Sequence, residues 1–169
     1  MSTYIGIDLG TTNSALCSYA GAETRIWKSP EQNDVTPSAI SYDRRGNRLV
    51  GQRAYQAAAA NPDNAAVLFK RLMGTSTPTH IRALGKDLTP EECSAEVLRT
   101  LFSYLPEEIR NAPDLGTVIT VPAAFNQMQR DDRGRPNGRY RPRGADAGAG
   151  CRRDERYEGS SDRWHIPHL

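Results

Sequence analysis

The chain has 169 residues, enough for one domain of ordinary size, with 37% hydrophobic and 25% charged residues and a formal net charge of +2. So small a charge gives no reason to expect a nucleic-acid or membrane-surface partner. No run of about 18 apolar residues suggests a spanning helix, and the start MSTYIGIDLG lacks the basic and then apolar build of a secretory signal. These features point to a cytoplasmic protein, and the three widely spaced cysteines, Cys17, Cys93 and Cys151, fit reduced thiols better than a disulfide framework or a zinc site.

The first element is YIGIDL at residues 4–9, a short apolar run ending at Gly10, which predicts a buried strand and a tight turn. Residues 14–19 read as its hairpin partner, and residues 24–27 as a third strand after Gly21. Residues 39–42 and 48–50 flank an Arg-Gly-Asn turn and predict a second hairpin. The alanine-rich residues 52–60 predict a helix, broken by Asn61-Pro62-Asp63-Asn64. A second helix is expected through Leu68, Phe69 and Leu72, with Gly74 as its C-terminal cap.

Residues 90–105 give the clearest helix. Thr89 can cap it, Pro90 suits the first helical position, and Glu92 completes a capping box. Cys93, Val97, Leu101 and Leu105 recur every fourth residue as an apolar stripe, widened by Leu98 and Phe102, and Pro106 ends it. Residues 118–121 (VITV) predict a buried strand closed by Pro122. A helix capped by Asn126 and Gln129 should follow, but Gly134 and Pro136 arrive within its first three turns. Strands, helices, strand and helix in this order predict an α/β domain over residues 1–130.

Beyond that point the composition changes. Residues 1–130 hold 13 basic and 13 acidic side chains, whereas residues 131–169 hold nine arginines against seven acidic residues, so the tail carries the whole net charge. Its only Ile, Leu, Val, Met or Phe residues are Ile166 and Leu169, too few to offset the entropy of ordering, so disorder is expected. A basic arm for RNA or acidic partners, a plain linker end and a reading-frame shift are the three readings of this tail. The abandoned helix start favours the frame shift.

The chemistry lies in Ile7-Asp8-Leu9-Gly10-Thr11-Thr12-Asn13-Ser14. Gly10 allows positive φ or close backbone approach. Successive N–H groups in such a turn can form an anion nest, and the threonine hydroxyls add donors. Asp8 could hold a hydrated Mg²⁺ that neutralises the phosphates. The spacing is neither a P-loop nor a GxGxxG. Taken alone, Gly-Thr-Thr is equally what an ordinary hairpin turn contains, and a lysine such as Lys70 is ordinarily solvated.

The string from Ile5 to Ser14 resembles the N-terminal signature of the 70-kilodalton heat-shock (DnaK-type) chaperone family, of which the wider actin-like and sugar-kinase superfamily shares only a shorter core. Three further segments are similar to that family in order and spacing: Val35-Thr36-Pro37-Ser38, Phe69-Lys70-Arg71-Leu72-Met73-Gly74, and Val118-Ile119-Thr120-Val121-Pro122-Ala123-Ala124-Phe125-Asn126 with Gln129-Arg130. The resemblance covers residues 3 to about 130. It implies the actin-like ATPase (ribonuclease H-like) fold, first lobe only and incomplete. It implies ATP or ADP with Mg as ligand. Asp8 would hold the metal through water, Gly10, Thr11, Thr12 and Asn13 would line the β- and γ-phosphates, and Lys70 would act with Asp8 in catalysis by reaching the γ-phosphate and the attacking water. In the full-length family the partners are nucleotide, unfolded client peptides, J-domain co-chaperones and nucleotide exchange factors. No nucleic-acid or membrane partner is implied.

The family's Glu-Pro segment, its second phosphate loop of the Asp-x-Gly-Gly-Gly-Thr type, its adenosine-binding region, its interdomain linker and its peptide-binding domain do not occur in these 169 residues. The expectation is therefore a truncated ATPase-domain fragment, with weak nucleotide affinity and no hydrolysis or client binding. The alternatives are a sugar kinase-like member of the superfamily, which the Lys-Arg-Leu-Met-Gly and Val-Pro-Ala-Ala-Phe-Asn segments disfavour, and a non-enzymatic interaction module.

Overall fold

Successive side chains of a strand point to opposite faces, and the first strand, β1 (Thr3–Leu9), follows this alternation: Ile5, Ile7 and Leu9 are buried while Tyr4 and Asp8 are exposed. The structure is a computed structural model that describes residues 3–120, 152–153 and 164–165. β1 turns back into β2 (Asn13–Ala20), which continues antiparallel into β3 (Glu23–Ile26). A two-residue strand, β4 (Thr36–Pro37), lies against the start of β2, with Asn13 opposite Pro37 and Ser14 opposite Thr36.

The second hairpin forms as predicted from β5 (Ala39–Tyr42) and β6 (Arg48–Val50), with Gly46 at a φ of 81° in its turn. The helix α1 (Gln52–Ala60) follows and packs on β5. Residues 65–74 correct the sequence expectation. They are not a second helix but a strand, β7 (Ala65–Val67), paired with the free edge of β5, followed by a 3-10 turn over Phe69–Leu72. Helix propensity is a weak preference that tertiary pairing overrides. Here the ladder to β5 takes Ala65 and Ala66, and Leu68 adopts the left-handed conformation (φ 56°) that separates strand from turn. A small hairpin then forms from β8 (Thr79–Ile81) and β9 (Lys86–Leu88).

The helix α2 (Pro90–Ser103) begins with the reciprocal cap expected of it. Thr89 Oγ1 accepts the Glu92 amide at 3.2 Å, and Glu92 Oε2 accepts the Thr89 amide at 3.0 Å. Its stripe residues Cys93, Val97 and Leu101 join Ile5, Ile7 and Leu16 in one apolar cluster, and α2 packs against β2, β5, β6 and the turn over Phe69–Leu72. Burial, with the neighbouring Glu92 and Glu91 adding to it, pushes the Cys93 thiol up to about 12. That cysteine is core filling, not a nucleophile. Replacing Thr89 by Ala should cost about 1 kcal/mol, read in urea as a lower midpoint with an unchanged slope.

After a short helix, α3 (Glu107–Arg110), the strand β10 (Leu115–Thr120) returns beside β1 and parallel to it. A parallel neighbour requires a crossover connection, and the chain between β4 and β10, which lies outside the first sheet, belongs to that crossover. The first sheet is therefore mixed, in the order β10-β1-β2-β3 with β4 on β2, and the molecule is α/β. Parallel pairing also sets the carboxyl ends of β1 and β10 side by side, Asp8 opposite Thr120. Ligands in open α/β sheets gather at such ends.

In the tail, Arg152–Arg153 (β11) pairs antiparallel with Trp164–His165 (β12). The rest of the tail, Cys151, Val121 and the helix start at Asn126 and Gln129 lie outside the described residues. Among the described residues no helix is long and apolar enough to cross a membrane.

Candidate phosphate-binding site

The site is built on the turn from β1 to β2. Residues 10–12 make this reversal, and it is tight because of Gly10. A Cβ at that position would overlap the backbone oxygen of Asn13 and lie 3.1 Å from its carbonyl carbon. The glycine serves close backbone approach rather than positive φ, since Gly10 is not among the residues in the left-handed region. Among the described residues, neither the Thr11 nor the Thr12 backbone amide has an acceptor. Thr11 is half-buried, and Thr12 and Asn13 are exposed.

Three distant segments hold this turn. The Ser38 amide donates to Thr12 O at 2.8 Å, and Ser38 Oγ donates to Gly10 O at 2.8 Å. Ser38 Oγ also lies 2.8 Å from Ser14 Oγ. Lys70 Nζ donates to Leu9 O, the last carbonyl of β1. Thr120 Oγ1 donates to Asp8 Oδ1 at 2.6 Å from the end of β10.

The placement of Lys70 follows from its neighbours. Phe69 and Met73 are buried at 1% and 0% exposure on either side of it. Burying two such side chains, at about 1.5–3 kcal/mol each, fixes the 3-10 turn against the core. Lys70 then runs inward to the end of β1 and is itself only 4% exposed. It is not the solvated surface lysine that its residue type alone suggests.

All the residues singled out from sequence, Asp8, Gly10, Thr11, Thr12, Asn13 and Lys70, therefore lie at one end of one sheet. Ser14, Ser38 and Thr120 join them. Ser38 and Thr120 lay inside recognised segments without an assigned role, because their contacts span 28 and 112 residues and no local pattern reports them.

The donor set suits a phosphate chain: two backbone amides without internal acceptors, two threonine hydroxyls and a lysine, in a turn whose glycine leaves room for close approach. Among the described residues no three His, Cys, Asp or Glu side chains cluster to cage a metal. Asp8 is the single carboxylate here, with one oxygen bonded to Thr120. That fits Mg²⁺, which is commonly held by one or two carboxylates together with waters and substrate phosphates. Residues 4–81 match the family model described as Hsp70 protein, a stretch that contains the turn, the Val35-Thr36-Pro37-Ser38 segment and Lys70.

Proposed function

We propose, from the match of residues 4–81 to the Hsp70 family model, that the chain carries an N-terminal ATPase-domain segment of that family and holds the first half of a Mg·ATP or Mg·ADP phosphate site, on the first lobe of an actin-like ATPase fold. The observation that carries this reading is the convergence of three distant segments, the farthest 112 residues away, on the end of β1 and the turn after it. The mixed sheet, with its site at the carboxyl ends of β1 and β10, supports the fold assignment.

Gly10, Thr11, Thr12 and Asn13 line the β- and γ-phosphates through amides and hydroxyls. Asp8, oriented by Thr120, takes the metal's water shell. Lys70, aligned along the end of β1, supplies positive charge towards the γ-phosphate. Bound Mg²⁺ neutralises phosphate charge. The opposing contacts are not encoded in these 169 residues, which contain no second Asp-x-Gly-Gly-Gly-Thr loop and no adenosine-binding region. Positioning between two sides of a cleft can contribute about 7–11 kcal/mol to a barrier. This chain alone therefore binds weakly and does not hydrolyse ATP. Client peptides, J-domain co-chaperones, exchange factors and a cytoplasmic setting belong to the full-length chaperone.

Calorimetric titration with Mg·ATP tests this reading. No saturable binding is expected below about millimolar concentration, roughly −4 kcal/mol. Sub-micromolar binding would overturn it.

A further inference from the structure

We infer that Ser38, primed by Ser14, is a positioning residue that sets the amides of the phosphate turn. The inference rests on reading that turn as a phosphate site. A serine hydroxyl has one proton to donate. Ser38 Oγ spends its proton on the Gly10 carbonyl at 2.8 Å, so the 2.8 Å contact between the two serines has Ser14 as its donor. The result is an ordered relay from the Ser14 hydroxyl through the Ser38 hydroxyl to the Gly10 carbonyl. Ser14 and Ser38 are 1% and 3% exposed, which leaves little room for solvent to take over either bond.

Ser38 has a second hold on the same turn through its backbone amide, which donates to Thr12 O at 2.8 Å. One residue thus anchors two carbonyls, those of Gly10 and Thr12. The peptide unit is planar and trans, so each C=O points opposite to the N–H that follows it. Holding the Gly10 carbonyl turns the Thr11 N–H away from Ser38, and holding the Thr12 carbonyl does the same for the Asn13 N–H. The pairing of Asn13 with Pro37 and Ser14 with Thr36 keeps this strap in register. An unanchored turn of three residues would have to freeze these peptide planes on binding. Here they are frozen beforehand, and pre-ordering is worth affinity.

The experiment follows backbone amides of the full chain by ¹H–¹⁵N correlation spectra during titration with magnesium tripolyphosphate. In the native protein the Thr11, Thr12 and Asn13 amides should shift. Ser38→Ala keeps the backbone anchor but loses the hydroxyl, and should raise the half-saturation concentration about fivefold, the effect of one hydrogen bond. The Thr11 shift should shrink more than that of Asn13. Ser38→Thr, which keeps the hydroxyl, should restore both, whereas a loss through stability alone would not single out Thr11. Ser38→Cys, near-isosteric with a weak donor, should fall between them and serves if the alanine variant does not fold. Native shifts with unchanged half-saturation in the alanine and cysteine variants would overturn this inference alone. Native protein without shifts in the turn would overturn the phosphate reading, and this inference with it.

Discussion

Replacing Gly10 by Ala should destabilise the chain by about 3 kcal/mol, at the upper end of overpacking effects. The added methyl overlaps the Asn13 carbonyl oxygen, which is backbone and has no rotamer to escape into. Neither side of the turn can yield easily. The Gly10 and Thr12 carbonyls are both anchored on Ser38, and β1 and β2 on either side are in ladder register from Tyr4–Tyr19 to Leu9–Ser14. Relief requires breaking one of these contacts, and each break also alters the orientation of the amides at the site. Urea denaturation should show a large drop in midpoint, and the variant should lose tripolyphosphate-induced shifts even where it remains folded. An unchanged midpoint would mean that the turn is more open than its geometry indicates.

The second large effect is expected at Lys70. Its alanine variant should lose about 2 kcal/mol, from roughly three buried methylenes at about 0.8 kcal/mol each. By contrast, Lys86, whose ammonium is 3.2 Å from Glu92 with 59% of its side chain exposed, should lose less than about 1 kcal/mol on the same substitution. Denaturation of the two variants side by side checks this. Equal losses would show that Lys70 is not packed along the end of β1. On the proposed function, in which this chain does not hydrolyse ATP, Lys70→Ala should leave ATP turnover unchanged.

Local signals carried much of the architecture. The helix over Gln52–Ala60 follows from alanine, and the start of α2 from the Thr89 and Glu92 pair. The β1–β2 hairpin follows from alternation around Gly10. Residues 65–74 misled because alanine and leucine favour helix locally, whereas the deciding force is the distant edge of β5, which no window around residue 66 contains. The β8–β9 hairpin and α3 were not anticipated. They are three- and four-residue elements, too short to establish a period.

The site divides in the same way. Asp8, Gly10, Thr11, Thr12 and Asn13 were legible because they are contiguous, and Lys70 because its segment resembles a known one. That Lys70 is buried depends on the 3-10 turn set by Phe69 and Met73, and the function of Ser38 depends on a contact 28 residues away. These are facts of packing, and one-dimensional patterns do not contain them.

In the proposed function the chain grips the phosphates from one side, and among the described residues no base-recognising surface faces that grip. The most direct measurement compares Mg·ATP with magnesium tripolyphosphate in amide-resolved titrations of the same sample. The two ligands should move the same amides, those of residues 11–13, and half-saturate within about twofold of each other, at or above millimolar concentration. Much tighter binding of Mg·ATP, or shifts centred away from that turn, would show that the chain recognises more of the nucleotide than its phosphates and would overturn the proposed half-site.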